Sequence, residues 1–245
     1  MAVKMNPYIR KILYVIAIGL LIALFATLKA KQDEQICEII SIEIDASIEK
    51  QLITERLVMD KLSAWYTGGL YGTVAASMPL ADIESKLESM PAVLNAEVSF
   101  DLRGELTLQI EQRVPVVRIM SNTGESYYLS KDNTKIPSRG TDVARVPIAN
   151  GRLTNAMITK VYTLSTYVQE NTFMEALTEQ IFVNKNSELV IVPKLINQQI
   201  IIGDATDLEE KFAKLIDFYE HGLNHIGWKK YHTINLKYKD QIVCN

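Results

Sequence analysis

The segment EVSFDLRGELTLQI, residues 97–110, carries the most regular pattern in the chain. Apolar residues occupy every second position on both sides of Arg103-Gly104, a pair that suits a tight turn. Because successive side chains of a strand point to opposite faces, this pattern predicts a β-hairpin with one apolar face. Such a face must be buried against another element, and the preceding sequence supplies candidates.

A strand and two amphipathic helices are predicted upstream of the hairpin. Isoleucines alternate with polar residues over 40–44, which indicates a half-buried strand. One helix is expected to begin at Thr54, and another to run over 80–90 between two prolines. Residues 39–113 therefore predict a β-α-α-β-β domain, in which both helices pack on a three-stranded sheet.

Residues 114–245 follow a different pattern, with short strands separated by polar turns. Helices are predicted from Thr154 to about Gln169 and up to about His221, where apolar residues recur at helical spacing. The last strand is predicted at 231–239. We expect an α+β chain whose second domain mixes helices with β-hairpins and ends in an edge strand.

A second decisive stretch, ILYVIAIGLLIALFATL at residues 12–28, contains no charged residue. As a helix it would span roughly 26 Å, close to the thickness of a bilayer core of roughly 30 Å. The run exceeds the ~7–15 apolar residues of a cleaved signal peptide, so we predict a single transmembrane helix. Residues 1–11 would form a cytoplasmic head and residues 29–38 a polar stalk, with the bulk of the chain outside the cytoplasm.

Composition and motifs argue against catalysis. The net charge of −3 provides no basic surface for nucleic acid, and the nucleotide-binding and hydrolase motifs that we sought are absent. His221 and His225 have the spacing of metal ligands, but Gly222 and Gly227 indicate that the helix ends there. Two cysteines, Cys37 and Cys244, cannot form a disulfide framework. We expect no enzyme activity, cofactor, metal or small-molecule substrate.

The predicted last strand is the best candidate for a binding surface. Ile234, Leu236 and Tyr238 would lie on one face, opposite Lys237 and Lys239. A strand at a sheet edge can accept a partner strand through its unpaired backbone groups. Edge lysines equally serve to repel such pairing. The pattern alone leaves both interpretations open.

Five segments, in this order, resemble the bacterial cell-division protein family FtsQ, also called DivIB. They are LESMPAVLNAEVSFDLRGELTLQIEQRVPVVRI at 87–119, GESYYLSKDNTKIPSRG at 124–140, VPIANG at 146–151, ELVIVPKLINQQIIIGDATDLEEKFAKL at 188–215 and INLKYKD at 234–240. The short head followed by one apolar run is similar as well. Each motif is weak alone, and the resemblance rests on their order over some two hundred residues.

The resemblance implies a POTRA domain at 39–113 and an FtsQ-type β domain at 114–245. Proteins of this family are non-enzymatic scaffolds of the bacterial divisome, held in the inner membrane at the septum. They bind the small coiled-coil membrane proteins FtsB and FtsL and coordinate septal peptidoglycan synthesis. An alternative is a POTRA-containing envelope assembly or translocation factor, and a third interpretation is an anchored cell-envelope enzyme.

The resemblance also implies where partners bind. In the family the last β-strand recruits a partner strand, and the matching positions here are Lys237 and Tyr238. Lys237 would pair with an acidic residue of the partner, and Tyr238 would pack on its apolar face. The expected partner-binding residues are Ile234, Leu236, Lys237, Tyr238, Lys239, Asp240 and Gln241.

Overall fold

The structure, a computed structural model, describes residues 7–45, 51–138, 144–194, 197–223, 227–228 and 230–245. The chain divides into two compact units, one made by residues 1–45 and 54–111 and the other by residues 46–53 and 112–245. Strands of the described residues form one three-stranded and one nine-stranded sheet. This mixed α+β composition, with one large sheet, agrees with the fold class expected from the sequence.

The described part of the first unit contains three strands and three α-helices. Their bounds are α1 Pro7–Asp33, β1 Ile39–Ile44, α2 Glu55–Trp65, a 3-10 turn Ala75–Ser77, α3 Leu80–Glu88, β2 Val93–Phe100 and β3 Glu105–Gln112. After α1, the order strand, helix, helix, strand, strand is the predicted one. The sheet order is β1-β3-β2, and β1 runs parallel to β3.

The predicted hairpin forms because its apolar face is buried and its turn is capped. Val98, Leu106 and Leu108 are buried, while the intervening side chains are more exposed. The Asp101 carboxylate accepts hydrogen bonds from the backbone N–H groups of Arg103 at 2.8 Å and Glu105 at 2.9 Å. An aspartate that bonds to its own turn in this way favours the tight reversal.

Helix α1 contains the apolar run that predicts a membrane anchor. Its described apolar side chains are exposed, including those of Leu20, Ile22 and Phe25. Among the described residues, no helix combines the length and apolar character that crossing a membrane requires. The anchor at 12–28 therefore stays a prediction from the sequence.

The second unit is built on the nine-stranded sheet. Its elements are β4 Pro115–Met120, β5 Ser126–Ser130, β6 Lys135–Pro137, β7 Ile148–Gly151, α4 Asn155–Glu170, α5 Thr172–Leu177, β8 Thr178–Val183, β9 Leu189–Pro193, β10 Gln199–Gly203, α6 Leu208–Asp217, a π-helical turn Phe218–Gly222, β11 Thr233–Asn235 and β12 Val243–Cys244. The sheet order is β12-β11-β10-β9-β8-β7-β4-β5-β6. Two helices, α4 and α6, bury apolar faces in the core that these strands share.

Helix α4 confirms its sequence prediction closely. Thr154 is its N-cap, and the Thr154 side chain accepts a hydrogen bond from the Met157 backbone N–H. Met157, Val161 and Leu164 lie on one stripe and are at most 4 % exposed. The cap satisfies a backbone donor that the first helical turn leaves unpaired, and the stripe supplies the burial that holds the helix in place.

Asp132 closes the turn between β5 and β6. Burial alone would raise the pKa of Asp132, but hydrogen bonds from Ser130, Arg113 and Thr134 outweigh it and lower the pKa to about 2. The ordinary pKa of this carboxyl is 3.8. A lowered pKa in the folded state means that the ionised carboxylate stabilises the fold above pH 3.8.

We expect Asp132→Asn to lower the free energy of unfolding by about 1 kcal/mol at neutral pH, a figure discounted for solvent screening. The discount is needed because the Asp132 side chain is 43 % exposed. The difference from wild type should shrink as the pH falls from 3.8 towards about 2, where Asp132 protonates in the folded state as well. Urea unfolding at a series of pH values measures this difference. A difference that stays constant down to the lowest pH would contradict the assignment.

The predicted last strand, 231–239, is wrong in extent. Strand β11 covers only Thr233–Asn235, and the chain then turns and returns as β12, Val243–Cys244. Because β12 pairs antiparallel with β11, β12 and not β11 forms the edge of the sheet. The strand ends early because the side chains of Asn235 and Lys214 bind backbone groups of the residues that follow it.

Candidate functional site

Strand β11 is hydrogen-bonded on both of its edges. It runs parallel to β10, where the Leu236 backbone N–H donates to the Ile201 carbonyl oxygen at 2.9 Å. On its other side, Thr233 and Asn245 exchange two backbone hydrogen bonds, each of 3.0 Å. Backbone groups of β11 are thus already paired within the chain, so this strand cannot itself accept a partner strand while β12 is in place.

Strand β12 instead presents the available edge. In an antiparallel pair, residues that exchange both hydrogen bonds alternate with residues whose backbone groups point away from the neighbour. Thr233 and Asn245 exchange both bonds, so the backbone N–H and C=O of Cys244 point outward, away from β11. Within the described chain, β12 is the terminal strand of the nine-stranded sheet. This outer side of β12 is called the C-terminal edge below.

Three polar contacts end β11 and shape the turn that follows. The Asn235 side-chain oxygen accepts a hydrogen bond from the Lys237 backbone N–H at 3.1 Å, which replaces a ladder bond with a local turn. The Lys214 ammonium on α6 then donates to the carbonyl oxygens of Tyr238, at 2.9 Å, and Lys239. These contacts draw residues 238–239 towards the helix and prevent a continuous strand.

Lys237 is paired within the chain. Its Nζ lies 2.7 Å from Oε1 of Glu188, and the Asn184 amide also donates to the Glu188 carboxylate. The hydrogen bond from Lys237 lowers the pKa of Glu188, and the same bond raises the pKa of Lys237. The Lys237 stem covers Gly203, where φ is +76° and an added Cβ would lie 2.7 Å from Cγ of Lys237. Only glycine suits both the conformation and the close approach.

A buried glutamine fixes the chain where it enters β11. The Gln198 side-chain amide donates to the carbonyl oxygens of Trp228 and Tyr231, at 3.0 Å each, and accepts from the Tyr219 hydroxyl at 2.9 Å. Burial raises the pKa of Tyr219 to about 12, so its hydroxyl remains a donor at any physiological pH. Gln198 is 2 % exposed, and its satisfied amide sets the position of β11 against β10.

The seven residues predicted to bind partners divide into two groups. Ile234 and Leu236 are fully buried in the core and cannot contact a partner directly. The others are exposed: Lys237, Tyr238, Lys239, Asp240 and Gln241. Since Lys237 and Tyr238 lie beyond the end of β11, the alternation predicted for them does not apply. Lys237 is also not a free cation, because Glu188 already holds it.

The described residues contain no group of side chains suited to hold a metal ion. His225 of the predicted histidine pair lies outside the described residues, and His221 contacts Asp217, with Nδ1 and Oδ1 3.1 Å apart. Cys37 and Cys244 are both free thiols, and burial raises the pKa of each. Neither thiol is therefore an activated nucleophile.

Two components of this site are not predicted by the sequence: strand β12, and the long-range contacts that Glu188 and Lys214 make. Strand β12 is two residues long and too short to show a period, although the β-branched pair Ile242-Val243 after a polar turn is a weak signal. The contacts made by Glu188 and Lys214 join residues far apart in the sequence. Such pairings depend on strand order and carry no local signature.

Residues 114–245 match the family model described as FtsQ/DivIB, C-terminal related, which covers more than half of the chain. The chain belongs to this FtsQ/DivIB-related family. Comparison with curated proteins found no match. FtsQ/DivIB membership supports a general role as a non-enzymatic scaffold of cell division that has divisome proteins as partners.

Proposed function

We propose that this FtsQ/DivIB-related protein is a membrane-anchored divisome scaffold that binds FtsB-like and FtsL-like proteins by β-strand addition. The partner strand would pair with the C-terminal edge, next to Cys244. The single observation that carries this proposal is the position of β12 at the end of the nine-stranded sheet, with its outer backbone groups directed away from β11. Main-chain hydrogen bonds supply affinity in this mode, and flanking side chains supply specificity.

Exposed side chains of β12 and of the turn that precedes it suit an amphipathic partner. Val243 is 43 % exposed and Tyr238 is 47 % exposed, which gives the partner apolar surface to cover. Lys239 adds an exposed cation that can meet an acidic partner residue. Aromatic residues of this kind are frequent hot spots of protein interfaces. In this proposal Ile234 and Leu236 support the edge from the core and do not touch the partner.

The remaining family features complete the proposal. Residues 12–28 would anchor the chain in the bacterial inner membrane at the division septum, supported by their uncharged sequence and by the exposed apolar side chains of α1. Residues 1–11 would be cytoplasmic, and residues 39–113 would form a POTRA domain, supported by the order of their elements. Through its partners the protein would coordinate septal peptidoglycan synthesis without catalysing a reaction itself.

We expect Tyr238→Ala to weaken binding of the full-length protein to its FtsB-like and FtsL-like partners by about 2 kcal/mol, close to thirtyfold. Removal of the ring takes away exposed apolar surface in the turn between β11 and β12 and leaves the core intact. Titration of the co-purified partner complex in detergent measures the effect. Tyr71→Ala is the matched control, because Tyr71 is an exposed tyrosine of the first unit, at 56 %.

The outcomes separate three situations. Loss of affinity in Tyr238→Ala alone supports binding next to β12. Equal affinity in wild type and both variants moves the interface away from Tyr238 and contradicts this part of the proposal. No binding of wild-type protein to either partner would contradict the proposed divisome role as a whole.

A further inference from the structure

Exposed apolar side chains of the first unit gather at one end of it. Outside α1, the described part of this unit exposes six large apolar side chains. Five of them belong to three short segments: Ile36, Ile39, Tyr71, Val74 and Leu102. The sixth, Leu94, lies near the start of β2. Exposed apolar groups that form one patch mark a surface that contacts another protein or a membrane.

The first two segments are joined by backbone pairing. Ile36 and Val74 lie directly opposite each other in an antiparallel bridge, and both side chains are exposed. Opposed side chains of such a pair have Cβ atoms about 5 Å apart, so these two form one apolar surface. Tyr71 lies next to the bridge, because the N–H of the following residue, Gly72, donates to the Cys37 carbonyl oxygen at 2.8 Å.

The turn between β2 and β3 joins the same surface. The Glu38 N–H donates to the Gly104 carbonyl oxygen at 2.9 Å, which holds the turn that contains Leu102 against residues 36–38. Gly104 has a φ of +82°, and an added Cβ would lie only 2.5 Å from the Ile36 carbonyl oxygen. Glycine thus permits the close approach of the two segments.

Helix α1 ends beside this surface. The last helical residue is Asp33, and two residues later the Gln35 carbonyl oxygen accepts a hydrogen bond from the Ala75 N–H at 2.7 Å. The 3-10 turn Ala75–Ser77 also lies against α1. The segment that carries Tyr71 and Val74 is therefore held at the level where the helix ends.

The length of α1 beyond its apolar run sets the depth of the patch in a membrane. The run ends at Leu28, and the five further helical residues to Asp33 cover about 7.5 Å. Each interfacial layer of a bilayer is about 5–7 Å thick, so the chain leaves the helix at the headgroup level. Tyrosine is enriched at this level. The exposed carboxylates of Glu34 and Glu38 oppose deeper insertion.

We propose that the patch formed by Ile36, Tyr71, Val74 and Leu102 lies in the headgroup region of the lipid bilayer. It would fix the orientation of the first unit on the membrane surface. The proposal rests on the membrane anchor of the proposed function. Lipid is the occupant because the exposed apolar side chains of α1 require the same lipid, and α1 ends beside the patch.

Spin labels on single cysteines of the full-length protein test the proposal. The protein, with its two native cysteines replaced by alanine, is reconstituted in vesicles of phosphatidylethanolamine and phosphatidylglycerol. Labels are placed in Leu102→Cys, Leu94→Cys and Ile22→Cys, and their collisions with oxygen and with a water-soluble nickel complex are measured. Oxygen concentrates in lipid, whereas the nickel complex stays in water.

Leu94→Cys is the matched control for Leu102→Cys. The two leucines are similarly exposed, at 45 % and 52 %. They lie towards opposite ends of β2, because the six residues from Leu94 to Phe100 span about 20 Å of strand. We expect the label at 102 to collide severalfold less with the nickel complex, and more with oxygen, than the label at 94.

A charge within the patch should release it from the lipid. In Val74→Asp, the label at 102 should become severalfold more accessible to the nickel complex, because a carboxylate disfavours insertion of its neighbours. Ser99→Asp, at an exposed position of β2, is the control and should change nothing. If Val74→Asp leaves the accessibility at 102 unchanged, the patch does not hold the unit on the membrane and the proposal is overturned.

The label at Ile22, an exposed apolar residue of α1, separates failure of the patch from failure of the anchor. A shielded label at 22, with equal nickel accessibility at 102 and 94, overturns the patch and leaves the anchor intact. Nickel accessibility at 22 contradicts the anchor and the patch with it. A label at 102 that is shielded from both reagents is covered by protein, which overturns lipid as the occupant.

Discussion

Replacing Cys244 by proline is expected to weaken binding of the FtsB-like and FtsL-like partners strongly while leaving the protein folded. The Cys244 N–H points away from β11, so proline removes a donor that only an added strand would use. The bulk of the proline ring also blocks the approach of a neighbouring strand. We expect a loss of about 3 kcal/mol or more, over a hundredfold in affinity, in a titration of the full-length protein.

Two variants control this experiment. Cys244→Ala keeps the backbone N–H and should bind like wild type. Val243→Pro removes an N–H that faces Asn235 within the β11–β12 pair, so it should detach β12 and lower stability as well as binding. If Cys244→Pro is folded and binds with wild-type affinity, strand addition at the C-terminal edge is excluded.

The second large effect that we expect is a loss of stability when Leu236 is replaced by alanine. Leu236→Ala should lower the free energy of unfolding by about 2–5 kcal/mol, because it removes a large side chain from a closely packed core. Leu236 is fully buried, in the same cluster as Phe212 and Leu215 of α6. The family resemblance places Leu236 among the partner-binding residues, whereas its burial predicts that it acts by supporting β11.

Urea unfolding of Leu236→Ala, compared with Tyr238→Ala, separates the two roles. We expect a large decrease in midpoint for Leu236→Ala and almost none for Tyr238→Ala, whose side chain is 47 % exposed. A Leu236→Ala protein of unchanged stability that has lost its partners would show instead that Leu236 contacts them directly.

The hairpin and the helices of the first unit could be predicted from the sequence because the contacts that form them are local. The 97–110 hairpin joins neighbouring strands through a four-residue turn, and its period of two fixes which face is buried. The sequence predicts that a helix begins at Thr54, and the Thr54 side chain accepts a hydrogen bond from the Leu57 backbone N–H. Local patterns and local contacts point to the same structure here.

The large sheet could not be predicted in the same way. Strand β7 is only Ile148–Gly151, yet it pairs parallel with both β4 and β8, which lie far from it in the sequence. Parallel neighbours are brought together by crossover connections, so their order depends on the packing of α4 and α5 against the sheet. Hydrophobic periodicity identifies such strands but does not give their neighbours.

The structure differs from the prediction in the geometry of residues 234–241. Alternation from Ile234 onwards resembles a strand up to Lys239, and the sequence contains no sign that Asn235 and Lys214 interrupt it. Lys237 was expected to meet a partner, but Glu188 lies 2.7 Å away in the folded chain. The polar contacts that end a strand early are tertiary, so they become visible only when the fold is known.

Hydrogen exchange at the Cys244 amide tests strand addition at the C-terminal edge most directly. This N–H faces away from β11, so in the free protein it should exchange rapidly, whereas the Asn245 N–H is bonded to Thr233. Addition of FtsB-like and FtsL-like partners to the full-length protein should slow exchange at Cys244 strongly, since an added strand would supply an acceptor. Partners that bind without changing exchange at Cys244 would contradict strand addition at the C-terminal edge.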